Sequence, residues 1–394
     1  MNKKVKGLVF ACLALILTLS LVSLACAPKA PVGEVVPKAD LTKAQADLAA
    51  EKQKTAAAET KTKDLEAELA AAQKPAKVYN WQPASWANAG SVWDQMVYMG
   101  KWLDVMSDGR IKITPSAVGA VCPVEEQIEA VSAGTTGMMC ATSSYYAGKI
   151  PGSDIVCLPP LAKNVDECID MFEYFEDGAL LKFYNGEVEK LYNVKVPGAY
   201  YYPQDCIISA RVPIRSIAEL SGKKFRCGDE TLAHPLTVFG ASTVWFPGSE
   251  IYTSLATGVV DAFTYGSSYD HYANSFHEVT KYWVRNPVLC GPYIGYVQVN
   301  RDVWNGLSDD LKQMIITAID ASSMRVNTET AINIAKSWTA VAAAGVELID
   351  WPAADEATWN KTRYEEMLKV AAAEPIAAEI MSIIERWGKA KGYL

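Results

Sequence analysis

Two periodicities alternate along most of this chain. Residues 78–81 (Val-Tyr-Asn-Trp) read as a strand. Over residues 91–107 the apolar positions Val92, Met96, Met99, Trp102, Leu103 and Met106 recur at the spacing of one helix face. Asp108-Gly109-Arg110 turns the chain into a strand over 111–115, a helix follows over 127–133 and a strand over 137–141. This order predicts a mostly parallel sheet with helices on its faces. The alternation resumes after Gly222, with a strand over 223–227, a helix up to Gly240, a strand over 241–246, a helix from Ser249 and a strand over 259–263. Two such stretches predict an α/β protein of two lobes. Residues 307–344 read as one long helix able to bridge them, and 354–391 are helical again with a break near Pro375. The expected division is 78–203 plus 292–330 for one lobe, and 204–291 plus 331–394 for the second lobe with the C-terminal helices.

The segment ahead of this body has a different pattern. Residues 41–73 are almost all Ala, Lys, Glu, Gln, Thr, Asp and Leu. Leu41, Leu48 and Leu69 share one seven-residue repeat, and Ala44, Ala58, Leu65 and Ala72 share a second that Glu51 interrupts. This predicts a helical spacer, either a marginal coiled coil or a semi-rigid rod, ended by Pro75. With the Ala/Pro/Val-rich tether before it, the spacer occupies 26–77. Residues 1–25 carry Lys3, Lys4 and Lys6 and an apolar run from Gly7 to Leu24, and end in Ser23-Leu24-Ala25 directly before Cys26. Those are the parts of a secretory signal. A cysteine directly after the small residue suggests cleavage before Cys26 and lipidation there, although Ser23 stands where such signals usually carry leucine. The alternative is an uncleaved membrane anchor, since the run is about the minimum spanning length. Both readings place the body outside the cytoplasm, at the outer face of the cytoplasmic membrane.

Composition narrows the function. Half of the 394 residues are hydrophobic, the signature of a globular chain. The net charge is −8 and the body has no Lys/Arg run, which argues against nucleic acid as a partner. Beyond Cys12 and Cys26, the cysteines at 122, 140, 157, 168, 206, 227 and 290 are scattered, without a CxxC pair or a histidine at ligand spacing. They argue against zinc and read mostly as small buried hydrophobes. There is no Gly-rich phosphate loop, GxSxG or HExxH. His271 and His277 sit among aromatic residues and read as structural, so the expectation is a protein that is not an enzyme.

Four segments, in order, carry a family resemblance. Residues 214–226, IRSIAELSGKKFR, resemble "pi-s-ieDLkGlkiR"; Phe239-Gly240-Ala241 resembles an "lGa" turn; residues 250–262, EIYTSLATGVVDA, resemble "Eiy-aLqtGvvDa"; and residues 299–308, VNRDVWNGLS, resemble "vN-dvw~~Lp". From about residue 78 to 388 the chain resembles the extracytoplasmic solute receptors of the tripartite ATP-independent periplasmic (TRAP) transporters. The resemblance implies a two-lobe periplasmic-binding-protein-like fold that closes on a small organic acid and hands it to TRAP membrane subunits, without a cofactor. A sensory receptor of the same fold, reporting occupancy to a signalling partner, is the alternative.

The residues support binding on their own terms. Arg226 ends a short strand, where open α/β sheets present side chains to a crevice. Its planar fork matches a carboxylate. Read alone it is equally an ion-pair partner for Asp229 or Glu230; the resemblance implies that it holds the ligand carboxylate. Trp81 follows the first strand, Tyr145 the strand ending at Ala141, Gln204 precedes the strand 206–210, and Tyr265 and Ser267 follow Asp261. Each is a candidate for the cleft rim, and each aromatic is equally a candidate for the core. In the branch of the resembled family that binds 2-oxo acids, a metal accompanies the ligand, held by acids just after the "DA" pair and before the "GP" pair. Thr264 and Leu289 stand there, so no metal is expected.

Overall fold

The computed structural model describes residues 37–73, 77–285 and 291–394. The leader with Cys26, Pro75, and Leu289 with Cys290 lie outside the described residues. The spacer is one helix, α1 (Lys38–Gln73). Its leucines at 41, 48 and 65 are about half exposed, because a thin alanine seam has nothing within its own helix to cover it. Residues 76–394 form a separate compact unit.

In that unit, β1 (Tyr79–Trp81) runs parallel to β2 (Ile111–Ile113). A single parallel bridge, Ala84 to Met139, joins them to β3 (Met138–Ala141). β3 and β4 (Val194–Tyr202) flank β10 (Tyr293–Asn300), both antiparallel to it. The second sheet has the order β11-β9-β5-β8-β6-β7, formed by β5 (Cys206–Ala210), β6 (Lys224–Arg226), β7 (Ser242–Val244), β8 (Ala262–Phe263), β9 (Tyr282–Arg285) and β11 (Glu347–Ile349). The mostly parallel sheet expected from the sequence is therefore corrected to a parallel pair and an antiparallel three-stranded sheet in the first lobe and a mixed six-stranded sheet in the second. The chain crosses between them at β4 to β5 and at β9 to β10, which forces antiparallel neighbours. β10 had no legible alternation, since it is buried at all eight positions.

The helices clothe these sheets: α2 (Ser91–Met106), α3 (Gln127–Ser132), α4 (Ser153–Cys157), α5 (Ala179–Leu191), α6 (Glu230–Val238), α7 (Ile251–Thr257), α8 (Ser268–Ala273), α9 (Asp309–Ala343), α10 (Ala353–Ala373) and α11 (Pro375–Lys391). The expected bridging helix is α9. Ile319 packs on Gly198 of β4, where a Cβ would come within 3.2 Å of it. Nearly twenty residues on, Trp338 meets the edge of Trp283 of β9 at 5.9 Å. One boundary moves. Ile380, Ile384 and Trp387 of α11 share a buried cluster with Met139, Tyr184 and Tyr296, so the last helix packs in the first lobe, not the second. α10 spans the two: Trp359 near its start stacks on Phe239 at 6.0 Å, and Met367 further along joins the first-lobe cluster. An amphipathic pattern reveals that a face is buried but not which lobe covers it.

Candidate ligand-binding cleft

Arg226 occupies the last position of β6, between the ends of β7 and β8. It is 1% exposed. Nε donates to the Phe246 carbonyl at 3.0 Å and Nη1 to the Thr264 carbonyl at 2.9 Å. Nη2 is buried without a hydrogen-bond partner. Among the described residues no ion pair to Asp229 or Glu230 forms, so the structural alternative for Arg226 lacks its partner. Two strand-end carbonyls hold the fork and leave Nη2 without an acceptor, and the arginine lines a cavity.

That cavity lies between the lobes. Trp86, Thr142, Ser144 and Tyr145 line it from the first lobe; Gln204, Arg226, Gly228, Asp229, Leu232, Tyr265 and Gly266 line it from the second. Its volume is about 30 Å³. This is the scale of one water molecule, so an organic acid enters only if the walls separate. It adjoins a wider cleft of about 690 Å³, lined in part by the same Ser144, Tyr145, Gly228 and Asp229. Trp86 organises the aromatic wall, edge-on to Tyr265 at 5.6 Å and to Tyr145 at 6.2 Å. Its indole N–H is buried and unpartnered. The Arg226 guanidinium stands 5.8 Å from the Tyr265 ring. Burial raises the pKa of the Tyr145 phenol, while the Arg226 charge opposes the rise.

Of the residues expected at the rim, Arg226, Tyr145, Gln204 and Tyr265 meet in this cavity. Trp81 and Ser267 do not line it. Trp81 is buried in the first-lobe core, its ring where a Cβ on Gly137 would come within 2.7 Å. Ser267 caps α8: its hydroxyl accepts from the Asp270 N–H, and the Asp270 carboxylate accepts from the Ser267 N–H in return. Trp86, Thr142, Asp229 and Gly228 went unsingled. The first three sit in loops or turns without periodicity, and the reason for Gly228 is visible only in the fold. A Cβ there would lie 2.8 Å from Arg226 Nη1. Because two carbonyls fix the guanidinium, Gly228→Ala is expected to displace it and to weaken ligand binding about tenfold, roughly 1.4 kcal/mol, with little change in the unfolding midpoint. Titration calorimetry beside a thermal melt checks this.

The other chemistry is inert or structural. Burial pushes the Cys140 and Cys157 thiols up to about 12 and Cys227 up to about 11, away from the reactive thiolate. His271 is buried among Phe263, Phe276 and Trp283, and burial lowers it to about 3. The Thr264 hydroxyl donates to Cys227 Sγ at 3.2 Å and offers no carboxylate, so this position does not fit a hard-cation ligand. Among the described residues no group of three or more His, Cys, Asp or Glu could hold a metal. No helix among them is long and apolar enough to cross a membrane.

Two mixed α/β lobes with a buried, half-satisfied arginine facing an aromatic interlobe cavity define a solute-binding protein. The chain belongs to the bacterial extracellular solute-binding protein family 7 (DctP), the TRAP solute-binding family, whose model matches residues 83–373. Members of this family are substrate-binding transport proteins. The chain is similar to the monocarboxylate 2-oxoacid-binding periplasmic protein of Nostoc sp., at 27% identity over 259 residues, 62% of this chain and 66% of that protein. It is similar in fold to a TRAP solute-binding protein from Bordetella bronchiseptica described with copurified calcium and picolinate (TM-score 0.72, 19% identity, 80% of this chain and 93% of that one). A second structural relative is an apo open TRAP protein from Rhodobacter sphaeroides (TM-score 0.60, 21% identity, 80% and 98% covered).

Proposed function

We propose that this protein is the receptor subunit of a TRAP transporter, that it binds a small carboxylate-bearing organic acid between its lobes, and that it delivers the acid to membrane subunits. One observation carries the reading: the buried Arg226 lines the interlobe cavity and has an unpartnered Nη2. A buried cation without a counter-ion is costly, and a carboxylate supplies both the charge and the missing acceptor. The aromatic wall would exclude water and strengthen that pair. The 2-oxoacid and picolinate names of the relatives agree with a carboxylate ligand. Binding would hold the lobes together, and the closed form would be what the membrane subunits engage.

The sequence 23–26, Ser-Leu-Ala-Cys, supports export and a lipid anchor on Cys26. The helix α1 would then separate anchor and receptor along the chain. Mass spectrometry of the membrane fraction tests this, since a diacylated Cys26 peptide is expected and an unprocessed leader would overturn it. The carboxylate reading is tested by a thermal-shift screen against organic acids. An acid at a hundredfold its dissociation constant stabilises by about 2.7 kcal/mol, a visible shift. No response to any acid from a folded sample would overturn it.

A further inference from the structure

We infer that the ligand is a zwitterion, whose carboxylate pairs with Arg226 and whose cationic nitrogen pairs with Asp229. This rests on the receptor reading above and narrows its ligand class. Asp229 lines both the inner cavity and the wider cleft. It lies three residues after Arg226 across the Gly228 turn. Beside the larger effect of burial, both charges act on the Tyr145 phenol, which lines the same cavity, Arg226 lowering its pKa and Asp229 raising it. Yet among the described residues no ion pair joins Asp229 to Arg226, whose bonds go to the Phe246 and Thr264 carbonyls. A molecule bearing both charges fits between them, satisfying the free Nη2 and the carboxylate together.

The surrounding charge points the same way. Burial raises the Asp229 carboxyl above its ordinary range, although the Ser144 hydroxyl and the charges of Arg226 and Arg363 oppose the rise. From the other lobe, Asp154 on α4 is 1% exposed and its Oδ2 has no partner. Burial first, then Glu230 and Asp229, push its carboxyl up to about 7. Carboxyls from both lobes thus stand near enough to raise one another, with Asp154 behind the cleft wall and Asp229 on it, where Arg226 and Arg363 are the cations that act on it. In the wider cleft the lining adds Glu125, Glu230 and Glu366, with no Lys or Arg among its described residues. Glu366 is held by Lys369 at 2.5 Å and faces His234 at 3.9 Å, and Lys149 donates to the Glu125 carbonyl at 2.6 Å while its ion pair goes to Glu129; the carboxylates of Glu125, Asp229 and Glu230 leave the mouth negative on balance. Such a field repels a dicarboxylate and draws a ligand that carries an ammonium group.

The test uses the purified full chain and sets of acids that share a skeleton: pentanoate, norvaline and glutarate; 3-phenylpropionate, phenylalanine and phenylsuccinate; cyclopentanecarboxylate and proline. Calorimetry is expected to show an amino acid binding at least tenfold more tightly than its deamino partner, with Asp229→Asn narrowing that ratio below threefold. A thermal melt of the isosteric variant reports its folding, and Arg226→Ala reports dependence on the arginine. If a deamino acid or diacid binds more tightly than its amino acid, through Arg226, the zwitterion falls and the carboxylate receptor stands. If the amino acid's advantage survives in folded Asp229→Asn, the pairing with Asp229 falls. If no member of any set binds the folded protein, both readings fall.

Discussion

Arg226→Ala is expected to lose at least a hundredfold in affinity for the bound acid while the unliganded protein melts close to the wild-type temperature. The two effects separate because the guanidinium has two kinds of neighbour. Toward the protein it serves two carbonyls, of Phe246 and Thr264, through Nε and Nη1. Nη2 is left unsatisfied, on an arginine that lines the cavity. Removing the side chain strands two carbonyl acceptors, a cost of about 1–3 kcal/mol each at most, but it also removes a buried cation that lacks a counter-ion. These terms oppose each other in the unliganded state. In the complex the truncation leaves the ligand carboxylate buried and unpaired, which costs about 2–5 kcal/mol with nothing to offset it. Arg226→Lys retains the charge but not the fork. One ammonium cannot bond both strand-end carbonyls and present a free donor to the ligand, so an intermediate loss is expected, about tenfold or more. Calorimetric titration of the three proteins with one acid, beside melts without it, decides the matter. Equal affinities for wild type and Arg226→Ala would remove the arginine from the site.

How far the site could be read in advance depends on where its residues sit. Arg226 was legible because it ends a strand inside a segment with a family pattern, and strand ends in α/β sheets converge on one crevice. Tyr265 and Tyr145 were legible for the same reason. Trp81 and Trp86 show the limit of this logic. They lie five residues apart, one in a strand and one in the following loop, and nothing in the local sequence says which ring turns inward. The structure buries both in one core cluster and brings only Trp86 to the cavity. Asp229 escaped because a charged residue next to an arginine reads as its ion-pair partner; only coordinates reveal that the pair is not made. Ser267 had a readable signal of another kind. Ser267 and Asp270 have the spacing of a capping box, which assigns the serine to a helix start. In the fold, short amphipathic helices and the long α9 were plain, whereas β4 and β10 were not. β10 is buried on both faces and shows no alternation, while in β4 the alternation of Val194 to Val196 is cut short by Pro197-Gly198 and a run of buried residues; their antiparallel pairing is set by where the chain changes lobes.

Asp270→Asn is expected to destabilise the protein by about 2–4 kcal/mol, the largest effect on folding among the substitutions considered, because its carboxylate ties together segments nearly two hundred residues apart. Oδ1 accepts the Ser91 N–H at 2.7 Å; Oδ2 accepts the Ser267 N–H and hydroxyl, each at 2.7 Å. The first bond caps α2, whose own N-cap residue, Gly90, has no side chain to do so. The second and third fix the start of α8. A negative charge is favourable at both helix starts. The seat is shaped for this carboxylate. Gly90 holds φ at 86°, and a Cβ there would come 2.2 Å from Oδ1; a Cβ on Gly266 would come 2.3 Å from Oδ2. Burial raises the Asp270 pKa, and the bonds from Ser91 and Ser267 work against that rise. An amide of the same shape must turn its NH2 toward one of these donors, so at least one N–H or O–H loses its acceptor and faces a like donor. Urea unfolding at neutral pH measures the loss, expected as a lower midpoint with an unchanged slope. A change below about 0.5 kcal/mol would mean that water replaces the lost acceptor and that the carboxylate does not hold these segments together. Because Asp270 bridges α2 of the first lobe and the segment leaving β8 of the second, the same variant is expected to loosen the relation between the lobes. In that case ligand affinity falls along with stability, whereas Gly228→Ala lowers affinity alone.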